Sequence, residues 1–351
     1  MRRWDPLLQL AMPVLLVVLT AVLASGFASP ADSVKFRNVL IEISVVVGLY
    51  VFVGNSGVLS FGQISFVAVG AFSAGVMTVP SDVKPNVLTT LFPFIKNHSI
   101  GNVTSLLLAA GVGMIYALIV GIPLMRLSGL AAGIATFAVL GITYNILKYW
   151  DRIGPGATTL TLIPATTDYV QATAGAVGVI IAAFLYQRSR WGRLLRATRE
   201  DPAAAQAAGI DIHRQRLWAF VLSGGLCGFA GGLLVHLLES INVDQVYLDL
   251  TFLTLAMLVV GGSQSLLGAV VGGLTVGLVN ILLSDLEHKW HVGGASILPG
   301  GSSLVGVAIV MLAVLLVRPS GITGGREFDA GWISRLFARG PSTAERVPPA
   351  A

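Results

Sequence analysis

The sequence predicts an all-α, polytopic integral membrane protein with about ten transmembrane or re-entrant helical segments. Only 11% of its 351 residues are charged, against about 25% in ordinary soluble domains. Apolar residues make up 55% and the mean hydropathy is +0.82, more apolar surface than one soluble core could bury. The 41 glycines fit the same class, because glycine is more frequent in membrane helices than in soluble ones.

Spanning the hydrocarbon core takes roughly 20 apolar residues, and shorter helical pieces are tolerated where protein surrounds them. The predicted segments are 7–28, 38–53, 58–79, 105–125, 130–147, 172–186, 217–238, 250–261, 269–283 and 303–317. The parts 58–79 and 250–283 are compatible with either spans or re-entrant segments. Residues 1–325 are therefore expected to form one transmembrane domain, and 326–351, rich in proline, alanine and charge, a disordered cytoplasmic tail.

The first apolar segment has features of both a signal peptide and a membrane span. Arg2 and Arg3 precede it and small residues follow it, as in a signal peptide. We interpret it as an uncleaved span, because its apolar stretch exceeds the roughly 7–15 residues of a signal-peptide core.

Lysine and arginine positions predict the orientation, since cytoplasmic connections carry an excess of both. The connection 187–216 contains Arg188, Arg190, Arg193, Arg196, Arg199, Arg214 and Arg216. The N-terminus and the C-terminal tail are also basic, whereas 239–249 has acidic residues and no lysine or arginine. An even number of predicted spans separates each of the three basic regions, so all three, including both termini, are expected in the cytoplasm. This bias explains the pI of about 9.6 better than nucleic-acid binding does.

The chain carries no motif for catalysis or for energy coupling. No lysine follows a glycine, so there is no P-loop. The pair His288 and His291 is too small a set for a zinc site and is interpreted as an ordinary polar loop. The ionisable groups Glu42, His236 and Glu239 lie near the ends of predicted spans, whereas an ion-driven carrier needs such groups near the midplane. We therefore expect a protein that is not an enzyme, binds no metal or cofactor, and receives its energy from another subunit.

The centre of the basic connection predicts a short helix. Asp201 is a favourable N-cap and Pro202 suits the first helical position. An alanine-rich stretch follows, and Gly209 can adopt the left-handed conformation that ends a helix. Such a helix has small side chains on every face, so it is either a simple surface helix or a docking element for another protein.

Two clusters of glycine and serine interrupt the apolar sequence, one in each half of the chain. They contain the candidate pathway residues Gly57, Ser60, Gly62, Gln63, Gly261, Gly262, Ser263 and Gln264. Broken helices in corresponding places can line a translocation pathway, and small residues can equally serve close helix packing. Both interpretations remain open at this point.

Four stretches, 48–72, 196–223, 259–272 and 318–322, resemble the permease subunits of branched-chain amino acid ABC importers of the LivM type. The connection resembles the EAA loop of these permeases, whose helix docks in a groove of the ATPase. The resemblance assigns this role to Glu200, Asp201, Pro202, Ala203, Ala204, Ala205 and Gly209. Ala203 stands where the EAA pattern has glutamate, and Gln63 stands where the family often has histidine.

The resemblance implies a membrane-spanning subunit of an ATP-driven importer in the bacterial cytoplasmic membrane. It implies a second, LivH-like permease subunit, two ATPase subunits that bind the ATP, and an extracytoplasmic substrate-binding protein, with no nucleic acid among the partners. Branched-chain or other small amino acids are the expected substrates, followed by urea and short amides. The alternatives are a self-contained secondary transporter or channel for a small polar solute and, more remotely, an intramembrane enzyme.

Overall fold

The computed structural model describes residues 5–27, 29–88, 91–289, 291–292, 295–296, 301–325 and 327. Arg2, Arg3 and Arg326 lie outside them, as does the predicted tail except for residue 327. The helices are α1 (Asp5–Phe27), α2 (Pro30–Ser56), α3 (Gln63–Thr78), α4 (Lys84–Val87), α5 (Pro93–Lys96), α6 (Asn102–Leu124), α7 (Gly129–Tyr149), α8 (Tyr169–Arg188), α9 (Arg190–Glu200), α10 (Pro202–Ala207), α11 (Ile212–Leu238), α12 (Leu248–Gly261), α13 (Leu266–Lys289) and α14 (Ser302–Val317). A 3₁₀ turn (Val243–Val246) precedes α12, and the two-residue strands His291–Val292 (β1) and Ala295–Ser296 (β2) pair antiparallel.

The predicted all-α membrane class is confirmed. In the described part of the chain, eight helical stretches are long and apolar enough to cross a membrane. Two shorter apolar helices, α3 and α14, bring the number of apolar segments to the predicted ten. Each predicted segment overlaps with one of these helices.

Three helix starts differ from the prediction by five residues or more. Helix α11 begins at Ile212 rather than at 217, after Asp211, whose side chain accepts the Arg214 backbone N–H. Helix α2 begins at Pro30 rather than at 38, because the Ser29 hydroxyl accepts the Asp32 backbone N–H at 3.3 Å and caps a polar first turn. Hydropathy does not detect such a turn. Helix α3 begins at Gln63 rather than at 58, because Gly57 ends α2 with a left-handed φ of 70° and the next five residues are not helical.

The centre of the bundle consists of α2, α3, α6 and α11. The most apolar part of α2 is completely buried, and α11 packs against the other three helices. Glycines permit the close approach: a Cβ added to Gly70 would lie 2.2 Å from the Gly228 carbonyl oxygen, and one added to Gly113 would lie 2.5 Å from that of Gly224. Small residues at helix contacts are the usual solution in a membrane, where association depends on close packing.

Contacts between connections define two ends of the bundle. The C-termini of α2 and α12 lie at one end, which we call the α9 face, together with α9, α10, residues 318–325 and Glu327. At this face Arg199 contacts Gly54, and Ile322 contacts Val260. At the opposite face, residues 160–163 run beside 239–241, with Leu160 and Ile241 exchanging backbone hydrogen bonds of 2.8 and 2.9 Å. The seven arginines of the connection 187–216 therefore share one face, and the acidic connection 239–249 occupies the other.

The long connection at the opposite face folds around Lys84. Its side chain is buried, and the ammonium donates to the carbonyl oxygens of His98, at 2.6 Å, and Ile95, at 3.3 Å. Burial lowers the pKa of this ammonium. The lysine thus organises a loop that the charge pattern alone describes only as connecting sequence.

Candidate functional site: the α9–α10 connection and the helix interruptions

Helix α10 begins as its sequence predicts. The Asp201 backbone N–H donates to Ala197 O at 3.2 Å and ends α9. The Asp201 carboxylate then accepts the backbone N–H groups of Ala203, at 2.9 Å, and Ala204, at 3.0 Å, while Pro202 takes the first helical position. One residue therefore ends α9 and starts α10, so no flexible linker separates the two helices.

The end of α10 is a Schellman motif. Gly209 has φ 79°, its N–H donates to Gln206 O at 2.9 Å, and the Ile210 N–H donates to Ala205 O at 3.0 Å. No atom lies within 4 Å of the place where a Gly209 Cβ would stand. The left-handed backbone alone, and no lack of space, therefore requires glycine here.

The outer surface of α10 is formed by small side chains and by one longer side chain, that of Gln206, which is exposed. Ala203 and Ala204 are exposed, as are Pro202 and Ala207, whereas Ala205 is only 5% exposed and faces the bundle. The adjacent Glu200 pairs with Arg199 at 2.5 Å and keeps most of its side chain in solvent. The connection thus presents a small, rigid helix with one carboxylate beside it.

The first interruption, 57–62, enters the bundle as irregular backbone. The Phe61 N–H donates to Thr136 Oγ1 at 3.2 Å, and Thr136 lies seven residues into α7, about 10 Å from the start of that helix. Non-helical backbone is tolerated at membrane depth where protein surrounds it or where it lines a cavity. The α3 helix therefore starts below the α9 face instead of at it.

Three of the four candidate pathway residues in this region are buried, and two of them, Ser60 and Gln63, belong to a chain of polar side chains. Ser60 Oγ donates to Gln63 Oε1, and Gln63 Nε2 donates to Ser223 Oγ at 3.5 Å. Ser223 donates onward to Gly48 O at 2.8 Å. Gly62 packs beside them, where an added Cβ would lie 3.0 Å from Thr136 O.

The second interruption, 262–265, is a tight turn between α12 and α13. A Cβ added to Gly261 would lie 1.9 Å from Gly268 O, so the two helices touch through their backbones. Gly262 has φ 115° and lies against Thr323, whose hydroxyl donates to Gly261 O at 2.8 Å. Ser263 is half-buried and Gln264 is exposed. Close packing thus accounts for both glycines, and the two polar residues are the accessible part of this turn.

The fold brings the two interruptions together. A Cβ added to Gly54, in the last turn of α2, would lie 2.5 Å from Ser263 O. Gly57 is also at this end, against the Arg199 side chain. An apolar cavity of about 510 Å³ lies beside the first interruption and is lined by α12, α14, Leu59 and Phe61. The candidate pathway residues are therefore neighbours at and below the α9 face.

The residues that join α9 to these interruptions are not evident in the sequence. Arg199 binds Gly54, and Arg196 binds the end of α8 through the Gln187 carbonyl. Glu327 binds the start of α13. The spacing of Arg196 and Arg199 places them on one helix face, but nothing local identifies what that face contacts.

Comparison with known proteins identifies relatives along most of the chain. Residues 36–317 match the family model described as branched-chain amino acid transport system / permease component. The chain is 26% identical to the probable branched-chain amino acid transport permease protein LivH of Methanocaldococcus jannaschii over 305 residues, 83% of this chain and 90% of that protein. It is 23% identical to the high-affinity branched-chain amino acid transport system permease protein LivM of Salmonella typhimurium over 343 residues, 88% of this chain and 74% of that protein.

A shorter match, 28% over 114 residues, covers 30% of this chain and 32% of the fructose import permease protein FrcC of Rhizobium meliloti. No solved structure matches the chain significantly. The resemblance predicted from the sequence is confirmed.

Proposed function

Because the chain belongs to the family of permease components of branched-chain amino acid transport systems, we propose that it forms half of the membrane pathway of an ATP-driven importer. The family match over residues 36–317 is the observation that carries this proposal, since it covers nearly all the membrane helices. The chain itself supplies the pathway and hydrolyses no ATP. ATP is bound by two separate ATPase subunits, and a second, LivH-like permease completes the membrane part.

The proposed substrates are branched-chain or other small amino acids. The named relatives that match most of the chain are both branched-chain amino acid permeases. Urea and short amides are the second choice. A binding protein on the opposite face selects the substrate before it reaches the membrane, so the permease itself needs few specific contacts.

Helix α10, with the flanking residues Glu200, Asp201 and Gly209, is proposed as the docking site for an ATPase subunit. Its support is geometric: α10 is exposed, carries no side chain larger than that of Gln206, and is capped at both ends. A helix without bulky side chains can enter a groove closely. In this proposal Glu200 supplies the charged contact that the EAA pattern places at the position of Ala203, and Asp201 and Gly209 hold the helix in shape.

The proposed pathway runs beside the two interruptions. This chain contributes one half of the pathway. The contributing residues are Gly57, Ser60, Gly62 and Gln63 of the first interruption and Gly261, Gly262, Ser263 and Gln264 of the second interruption. The adjacent cavity beside Leu59 is open on one flank of the bundle, where a second permease would close it. The two glycines at 261 and 262 would act by shaping the turn that presents Ser263 and Gln264.

The α9 face is proposed to be cytoplasmic, in the cytoplasmic membrane of a bacterium. The seven arginines of 187–216 gather at this face, as the positive-inside rule requires. The docking helix would then meet the ATPase on the side where ATP is available.

Reconstitution tests the function. Proteoliposomes containing the chain with its permease partner, ATPases and binding protein should accumulate an amino acid only when ATP is present. The same complex with the P-loop lysine of the ATPases replaced is the control and should accumulate none. Accumulation by the chain alone under a proton or sodium gradient would instead establish the secondary-transporter alternative.

A further inference from the structure

Arg199 connects the proposed docking connection to the end of the central helix α2. It lies in the last turn of α9, two residues before the Asp201 cap. Its Nη1 donates to Gly54 O at 2.7 Å, and its side chain is only 18% exposed. The same guanidinium donates from Nε, at 3.0 Å, and Nη2, at 2.5 Å, to Glu200 Oε1. Glu200 therefore fixes the orientation in which Arg199 reaches α2.

The hydrogen bond between Arg199 and Gly54 lies at the C-terminal end of α2, where backbone carbonyl groups need a donor from outside the helix. The last four carbonyls of a helix have no N–H donor within it, and a cation is favourable at this end. Gly54 supplies one of these carbonyls. The stem of Arg199 also crosses Gly57, where an added Cβ would lie 2.6 Å from the arginine Cγ. Glycine at this position thus leaves room for the arginine as well as allowing the left-handed turn.

Arg196, one turn earlier on the same face of α9, makes a second connection. Its guanidinium donates to the Gln187 carbonyl, and the Gln187 side chain accepts the Tyr50 hydroxyl at 2.7 Å. Tyr50 lies one turn before Gly54 in α2. Arg199 therefore holds α9 against the end of α2 directly, and Arg196 does so indirectly, through Gln187 of α8.

The helix interruption begins immediately after this contact. Residues 57–62 connect the end of α2 to Gln63 without helical structure. Since Asp201 joins α9 directly to α10, a displacement of α10 would move α9 as one body. The hydrogen bond to Gly54 is a direct polar contact between α9 and the residues that lead into the interruption.

We infer that Arg199 is a positioning residue that transmits displacement of the α10 helix to the 57–62 interruption, with Arg196 as its second anchor. The inference rests on the proposed docking of an ATPase at α10. Arg199 need not touch substrate or ATP. Its role is to make the conformation of the interruption follow that of the docking helix.

The test compares Arg199→Met, Arg199→Lys and Arg193→Met in the assembled transporter. Methionine keeps an aliphatic stem over Gly57 without a donor, and lysine keeps a charged donor. Arg193 is exposed on the same helix and serves as the matched control. The readout is the number of substrate molecules imported per ATP hydrolysed in proteoliposomes, alongside co-purification of the ATPase.

Arg199→Met should retain co-purification and ATP hydrolysis while import per ATP falls about tenfold, the size expected for losing one charged hydrogen bond. Arg199→Lys should restore most of the wild-type import per ATP, and Arg193→Met should have the same import per ATP as the wild type. Gly57→Ala, which pushes a methyl group into the aliphatic stem of Arg199, should also lower the import per ATP.

A wild-type ratio in Arg199→Met would overturn the inference. So would a parallel loss of co-purification, hydrolysis and import, because the residue would then be structural only. In either case, loss of ATPase co-purification in Ala204→Trp would still support ATPase docking at α10. A failure of the Arg199 inference can therefore be distinguished from a failure of the proposed function.

Discussion

Glu327 caps helix α13 from a position 61 residues further along the chain: its Oε1 accepts the Leu266 backbone N–H at 2.8 Å. The segment leading to it follows the turn between α12 and α13, with the Thr323 N–H donating to Gly261 O at 3.1 Å. Burial raises the pKa of the Glu327 carboxyl, although the hydrogen bonds from the start of α13 and the charge of Arg196 oppose the rise. The end of α14 and the second interruption thus form one unit.

This carboxyl predicts a pH dependence of stability. Its folded pKa is raised above the ordinary 4.5, so its stabilising contribution is complete below pH 4.5 and is lost as the pH rises through the folded value. Glu327→Gln keeps an acceptor for Leu266 but does not titrate. As the pH is raised from 4.5 to neutrality, the thermal unfolding temperature of the Glu327→Gln variant in detergent should therefore fall less than that of the wild type. Asp82→Asn, at an exposed site, should leave the profile unchanged; parallel curves for Glu327→Gln and wild type would contradict the prediction.

Ala204→Trp should prevent ATPase docking. Ala204 is exposed near the start of α10, and an indole cannot enter a groove that accepts a methyl group. We expect normal membrane insertion, loss of co-purification with the ATPase, and loss of ATP-dependent uptake. Val103→Trp is the matched control, since Val103 is 68% exposed at the opposite end of the bundle. Normal ATPase binding and uptake in Ala204→Trp would exclude α10 as the docking element.

Gly209→Val should destabilise the end of α10. The left-handed backbone costs a residue with a side chain roughly 1–2 kcal/mol, and a β-branched residue resists it most. Gly178→Val adds the same side chain to an exposed helical glycine with open space around it. Proteolysis of the α9–α10 connection should increase for Gly209→Val and remain unchanged for Gly178→Val. Equal cleavage rates would show that the Schellman motif does not hold this helix.

The two interruptions should respond differently to added methyl groups. Gly261→Ala places a Cβ 1.9 Å from a backbone oxygen, whereas Gly62→Ala meets its nearest atom at 3.0 Å. Overpacking of a tight site costs about 1–3 kcal/mol, and a backbone contact cannot be relieved by a rotamer change. We expect Gly261→Ala to lower the yield of folded protein, and we expect the Gly62→Ala protein to accumulate in the membrane. Gly62→Leu should then block transport in an assembled complex if this region lines the pathway; unimpaired transport would favour packing alone.

Cysteine labelling should locate the α9 face. In a chain with Cys227 replaced by alanine, a cysteine at Ala203 should be protected from an impermeant thiol reagent in intact cells and react after lysis. A cysteine at Ser99, exposed at the opposite face, should react in intact cells. Labelling of the Ala203 position from outside would reverse the proposed orientation.

The features predictable from the sequence are those that depend on neighbouring residues or on partition into lipid. The ten apolar segments follow from hydropathy, because lipid accepts a helix only when its own side chains are apolar. The caps of α10 follow from Asp201 and Gly209, since each acts on backbone groups within four residues. The family resemblance depends on the same local signals.

Tertiary structure alone decided which segments meet. Most membrane helices are similarly apolar, so hydropathy cannot select their partners; close packing of small residues and a few polar contacts do so instead. Arg199 and Gly54 are 145 residues apart, and Gly54 meets Ser263 only because α2 and α12 end at the same face. The sequence therefore determined the helices and the shape of the docking connection, whereas the packing of the bundle determined that this connection touches the first interruption.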